Sequence, residues 1–133
     1  MGNNSKFINP PPKNLGNLTI DKADIHNDSL PIFSFRFTDF LSKNASCRSH
    51  CLQTLVTLSK LTWGQIAKNP REKLGTELIP IKNFNINFQS IPQIKEDVEK
   101  LEVFRISKGD RVAGIRIRDI FYILGVGKDL YSH

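Results

Sequence analysis

The sequence predicts an α+β domain: an N-terminal strand and a helical hairpin packed on an antiparallel sheet with a C-terminal three-strand meander. Three observations carry this. "PIFSFRFTDF" alternates Phe33, Phe35 and Phe37 with Ser34, Arg36 and Thr38, the period-two pattern of a strand with one buried face. Cys47, Cys51, Leu52, Leu55, Val56 and Leu58 recur at helical spacing, and "TWGQ" just beyond them has the form of a capping box that opens a second helix. Finally, "LEVFRIS", "RVAGIRIR" and "IFYILGV" are strand-like runs separated only by "KGD" and by Asp119, which suits an antiparallel meander.

In chain order, residues 1–29 contain "NPPPKNLGN" and little periodicity, which predicts an extended or mobile arm before a single domain over 30–133. The first helix is expected over about 46–60, with Asn44 or Ser46 as N-cap. On it Cys47 and Cys51 share a face with Leu55 and Leu58 and read as small core residues. His50 points elsewhere on that helix and no second ligand pair exists, so a zinc site is not expected. In the second helix Thr62 caps, Gln65 reaches back, Trp63 anchors the core, and "NP" at 69 and 70 ends the run. Over 70–100, "ELIPI" and "FNINF" fit either short strands or ordered loop, and Pro80 and Pro92 argue against long central strands.

The chain has 133 residues, with 19 Lys and Arg against 13 Asp and Glu, a formal charge of +6. That balance favours a polyanionic partner and by itself does not choose among RNA, DNA, an anionic membrane and an acidic protein. No apolar run approaches the roughly 18–20 residues of a membrane span, and "MGNNSKFINPPPKN" lacks the apolar core of a signal peptide, so a cytoplasmic, non-membrane protein is expected.

Parity along the runs then sorts the side chains. With the helices covering the face of Phe33, Phe35, Phe37, Phe104, Ile106, Ile115 and Ile117, residues Arg36, Arg105, Arg116 and Arg118 share the other face, unless a bulge at Gly114 breaks the alternation. Acidic residues of matching parity occur only at the ends of the runs, as Asp110 and Asp119, and unpaired arginine clusters suit phosphate. The solvated side of an ordinary sheet carries arginines as well.

The order strand, helical hairpin, meander, with "KGDR" at the first turn and "LGVGKDLY" at the end, resembles the RelE/ParE-like toxins, many of which are ribosome-associated messenger-RNA endonucleases. The resemblance spans 31–133 in topology and 101–131 in residues. It implies that Arg111, in the position of the family's Gly-x-Arg arginine, contacts the scissile phosphate. The family's closing Val-Gly-Lys-Arg and its following tyrosine correspond to Val126, Gly127 and Lys128, then Tyr131. Asp129 stands where the family carries a second catalytic arginine, and the spacing to the tyrosine is shorter. Several relatives place a histidine among their last residues for proton transfer, the role His133 would fill.

The implied reaction is metal-independent and needs no cofactor. A 2′-hydroxyl attacks phosphorus, so the protein must take one proton, stabilise the phosphorane and protonate the leaving oxygen. Arg111, Tyr131 and His133 are the expected catalytic residues, and Arg36, Arg105, Lys108, Arg116, Arg118 and Lys128 the expected RNA contacts. His26, in the arm, and His50 are weaker candidates. The expected partners are messenger RNA, the ribosome and an antitoxin that covers the basic face. The alternative is a non-catalytic binding module of the same fold for RNA or a protein target, with Asp129 marking lost catalysis.

Overall fold

The computed structural model describes residues 27–86 and 98–132. The expected arm therefore lies, through residue 26, outside the described residues, as do part of "FNINF", Pro92 and His133. Residues 27–29 are tied to the domain: the Gly64 and Trp63 amides donate to the Asn27 and Ser29 carbonyls at 2.6 and 2.9 Å.

The elements are β1 (Ile32–Ser34), β2 (Phe40–Leu41), α1 (Ala45–Leu58), α2 (Trp63–Lys68), β3 (Thr76–Pro80), β4 (Lys100–Arg105), β5 (Asp110–Ile117) and β6 (Ile120–Lys128). They form an α+β arrangement with N-terminal strands, a helical hairpin and a C-terminal multi-strand sheet. The sheet order is β1-β6-β5-β4-β3, with β2 also on β6; β1 and β2 run parallel to β6 and the other pairs are antiparallel. "ELIPI" thus resolves into β3, an edge strand ending in Pro80, where a missing N–H costs no ladder bond. Among the described residues no helix is long and apolar enough to cross a membrane.

Local signals act as their chemistry dictates. Asn44 Oδ1 accepts from the Cys47 amide at 3.0 Å and caps α1. Thr62 and Gln65 form the reciprocal capping box of α2, at 3.1 and 2.9 Å, and Asn69 turns extended before Pro70. Cys47, Cys51, Leu55 and Leu58 are the buried face of α1. Burial pushes the Cys51 thiol up to about 11, so it is protonated at neutral pH.

The expected single strand over 31–40 is two strands. β6 carries one extra residue, Leu124, between the Ala113–Gly125 and Gly114–Ile123 pairs. Its outer neighbour breaks at that bulge: from Ser34 to Phe40 the chain advances six residues while their β6 partners, Tyr122 and Gly125, advance three. The surplus forms a turn closed by Thr38 N–H to Phe35 O at 3.1 Å. Thr38 Oγ1 and the Asp39 amide then donate to the Ile123 and Leu124 carbonyls at 2.7 and 2.8 Å, keeping the bulge's backbone paired.

The expected sorting of faces is corrected by register. β4 pairs with β5 as Phe104–Val112 and Arg105–Arg111, so residues of equal parity share a face. Phe33, Phe104 and Ile106 do pack with the helices, around Trp63, Phe121, Ile123 and Val126. Ile115 and Ile117 pack on the opposite face with Leu101, Val103, Leu124, Leu130 and Phe37, while Phe35 is exposed in the turn. The face expected to be an arginine surface is a second apolar core, and β6, apolar on both sides, lies between the two.

Gly114 sits where the bulge brings β6 closest. A Cβ there would lie 2.2 Å from the Tyr122 carbonyl oxygen and 2.7 Å from the Phe121 ring, and backbone cannot move aside. Gly114→Ala is expected to destabilise the domain by about 2 kcal/mol or more, seen as a lower urea midpoint at unchanged slope.

Candidate functional site

The β4–β5 hairpin gathers most of the polar chemistry at one end of the sheet. Its tip turns through Gly109 at φ 91°, with the Ile106 amide donating to Asp110 O at 3.1 Å. Ser107 Oγ donates to Asp110 Oδ2 at 2.5 Å, and Asp110 is a buried residue, 8% exposed. Arg111 ties the structure together. Its Nη1 donates to the carbonyls of Ser107 and Asp110 at 3.0 and 2.9 Å, and its Nε donates to the Tyr131 hydroxyl at 3.3 Å.

Tyr131 is held in turn by residues far away in sequence. The chain leaves β6 at Asp129, whose φ of 56° is a left-handed value that aspartate tolerates better than most side chains. Leu130 is buried at 2% and its carbonyl accepts from the Asn85 amide at 2.7 Å. The Ser132 amide donates to Asn83 O at 2.9 Å, and the Phe84 and Tyr131 rings lie 5.3 Å apart. Residues 129–132 thus run as a short antiparallel segment against 83–85, and Tyr131 is a packed residue of the second core.

Arg105 stands directly across the ladder from Arg111. Two like charges there repel, and the nearest relief is Glu77, whose Oε1 lies 3.9 Å from Arg105 Nη2, too far for a hydrogen bond. Arg105 Nε and Glu77 Oε1 are both buried and have no hydrogen-bond partner among the described residues. Lys108 and Lys128 are exposed at the same end, and the Lys128 stem passes Gly109, its Cε 3.4 Å from where a Cβ would stand. A groove of about 470 Å³ opens here, with Arg105, Ser107, Lys108 and Arg111 on its hairpin side and Thr54, Glu72, Lys73 and Leu74 opposite.

Of the residues expected from sequence, Arg105, Lys108, Arg111, Lys128 and Tyr131 therefore come together. The others do not join them. Arg116 lies on the helix face, its guanidinium 4.1 Å from the centre of the Trp63 ring, and its Nε donates to Arg118 O at 2.7 Å. Arg118 is exposed in the two-residue β5–β6 turn with φ 56°. Seven residues of strand, about 23 Å at 3.3 Å each, separate Arg118 from Arg111. Arg36 is exposed in the β1–β2 turn over the Phe37 ring. Sequence reasoning missed Thr54, Glu72, Lys73, Leu74 and Ser107, because "REKLG" carries no periodicity and only folding sets it opposite the hairpin. Among the described residues no group of three or more His, Cys, Asp or Glu is placed to hold a metal ion.

Comparison with protein-family models, with characterised proteins and with solved structures returns no match to this chain.

Two outcomes follow from this geometry. The Arg111–Tyr131 contact is expected to make Tyr131→Phe cost about 0.5–1.5 kcal/mol, with a coupling of about 0.5 kcal/mol or more to Arg111→Lys in a double-mutant cycle of urea unfolding. Glu102, which Arg116 influences, is expected to make stability depend on pH. Burial raises the carboxyl of Glu102, with the Thr76 hydrogen bond and Arg116 opposing. A carboxyl raised in the folded state binds its proton more tightly there than when unfolded, so its contribution to stability is lost as pH rises from the ordinary carboxylate range through the folded value. Glu102→Gln is expected to raise Tm at pH 7, leave it unchanged near pH 4, and remove that part of the pH dependence.

Proposed function

We propose that this chain is a RelE/ParE-like endoribonuclease that cuts messenger RNA, on the ribosome, and restrains growth until an antitoxin covers its basic end. The observation that carries the proposal is the Arg111–Tyr131 pair beside a groove lined by further cations. Arg111 supplies fixed positive charge where charge grows on the phosphorane, and its bonds to the hairpin carbonyls fix its direction before substrate arrives. The 2′-oxygen forms its bond to phosphorus as the P–O5′ bond breaks. Neutral His133 takes the 2′ proton and the Tyr131 hydroxyl gives its proton to O5′, after which water carries the proton from His133 back to Tyr131. No step in this scheme requires a metal, and the place of action is the cytoplasm.

A second reading, a binding module for RNA, draws on two particular observations. Asp129 occupies the position of the family's second arginine, and its left-handed backbone gives it a structural reason to be there. Arg111 Nη1 is also committed to two carbonyls, so much of that arginine's work is holding the hairpin.

The test is incubation of purified protein with messenger RNA in EDTA, alone and with translating ribosomes, followed by mapping of new ends. New 5′-hydroxyl ends are expected. Tyr131→Phe and His133→Ala are expected to slow their formation at least about tenfold, a low bar for proton-transfer groups, while RNA affinity holds. Charge removal at Arg105 and Lys108 should flatten the salt dependence of binding, by about 0.7 in log–log slope per lost phosphate contact, whereas Arg116→Ala with Arg118→Ala should leave it unchanged. Salt-dependent binding with no new ends selects the binding module.

A further inference from the structure

The groove beside Arg111 has two unlike walls. The hairpin wall is formed by Arg105, Ser107, Lys108 and Arg111; the facing wall by Thr54 of α1 and the Glu72–Leu74 stretch that follows α2. Its volume of about 470 Å³ is in the range of sites that take a small organic ligand. Among the described residues no carboxylate lies within ion-pair distance of Lys73, Lys108 or Arg111, and the Glu72 carboxylate is engaged by Arg71 at 2.9 Å. Arg105 makes one ion pair among the described residues, the 3.9 Å contact with Glu77, and its buried Nε has no hydrogen-bond partner among them. Such a guanidinium gains hydrogen bonds by turning toward an anion.

The facing wall is built in advance. Leu74 has φ 67°, a conformation that costs a leucine about 1–2 kcal/mol. The loop holds it there: the Gly75 amide donates to Pro70 O at 3.0 Å, and Asn69 Nδ2 to Leu74 O at 3.4 Å. Strain fixed by its surroundings recurs at ligand sites. The groove therefore offers phosphate-binding charge on one side and, on the other, an apolar side chain with hydroxyl, ammonium and carboxylate groups at hand. A nucleotide has the same division, an anionic phosphate and a flat base with polar edges.

We infer that this groove is the subsite for one nucleotide of the RNA strand adjoining the phosphate at Arg111, with its own phosphate on Arg105 and Lys108 and its base against Leu74, Thr54 and Lys73. The inference rests on the RNA reading above and adds Thr54, Lys73 and Leu74 as residues that position the strand and select its base.

The experiment follows backbone amides of the full chain by NMR during titration with uridine 3′-monophosphate and, separately, with inorganic phosphate at millimolar concentration. The nucleotide is expected to shift Thr54, Leu74, Ser107 and Gly109 in a saturable way, and phosphate to shift the hairpin amides alone. Lys73→Ala and Lys108→Ala should each weaken nucleotide binding by about tenfold, the loss of one charge-assisted contact, with Tm unchanged. Absence of saturable shifts across the groove, or equal binding in the double variant, overturns the subsite. RNA cleavage measured on the same proteins separates the two claims. Cleavage that depends on Arg111 and Tyr131 while the groove amides stay silent removes the subsite and leaves the nuclease. Saturable binding in the groove without cleavage supports the subsite and removes the nuclease.

Discussion

Everything in this fold is arranged around β6. Its run "IFYILGVGK" is apolar on both faces, and seven of its nine residues, Phe121–Gly127, are buried, so both sides must be covered. The helical hairpin covers one with Cys51, Leu55, Leu58, Trp63 and Ile66. The other is covered by Phe37, Phe84, Leu130 and Tyr131, drawn from two connecting segments and the stretch after β6. The extra residue at Leu124 adds a second constraint, because a strand that follows β6 smoothly cannot follow it through a bulge. The break between β1 and β2, the placement of Phe33 and Phe37 on opposite faces, and the demand for glycine at 114 all descend from that one insertion.

The polar end of the sheet depends on a different kind of restraint. A five-residue connection between Arg105 and Arg111 brings two arginines face to face, an arrangement that electrostatics opposes. It persists because Arg111 is turned to three oxygen acceptors, two hairpin carbonyls and the Tyr131 hydroxyl, while Arg105 leans toward Glu77. One guanidinium is therefore a brace that holds its charge in a fixed place, and the other has one long ion pair and a buried Nε without a hydrogen-bond partner among the described residues.

The same brace joins the hairpin to the segment after β6. Packing of Leu130 and Tyr131 against Asn83–Asn85 gives that segment its own reason to be ordered, independent of any catalytic role. A nuclease and a binding module would share this architecture. They differ in whether proton transfer occurs at the Arg111–Tyr131 pair, which is a matter of chemistry at a few atoms and not of fold.

By itself the sequence determined the elements whose causes are local. The α1 cap at Asn44 or Ser46, of which the structure uses Asn44, the Thr62–Gln65 capping box, the stop before Pro70, the buried stripe of α1 and the three strands of the meander follow from side-chain spacing and short-range hydrogen bonding, and they stand within a few residues of where spacing places them. The link of Arg111 to Tyr131 was legible only through a family resemblance. Tertiary structure alone decided the rest. Which residues share a face depends on register: the Phe104–Val112 pairing sets Arg116 on Trp63 and Ile115 in the second core, and the Leu124 bulge turns over the β6 side chains that follow it. The groove is non-local in the same way. Thr54, Lys73 and Arg111 meet only once a helix, a loop and a hairpin are packed, and no spacing along the chain records that meeting.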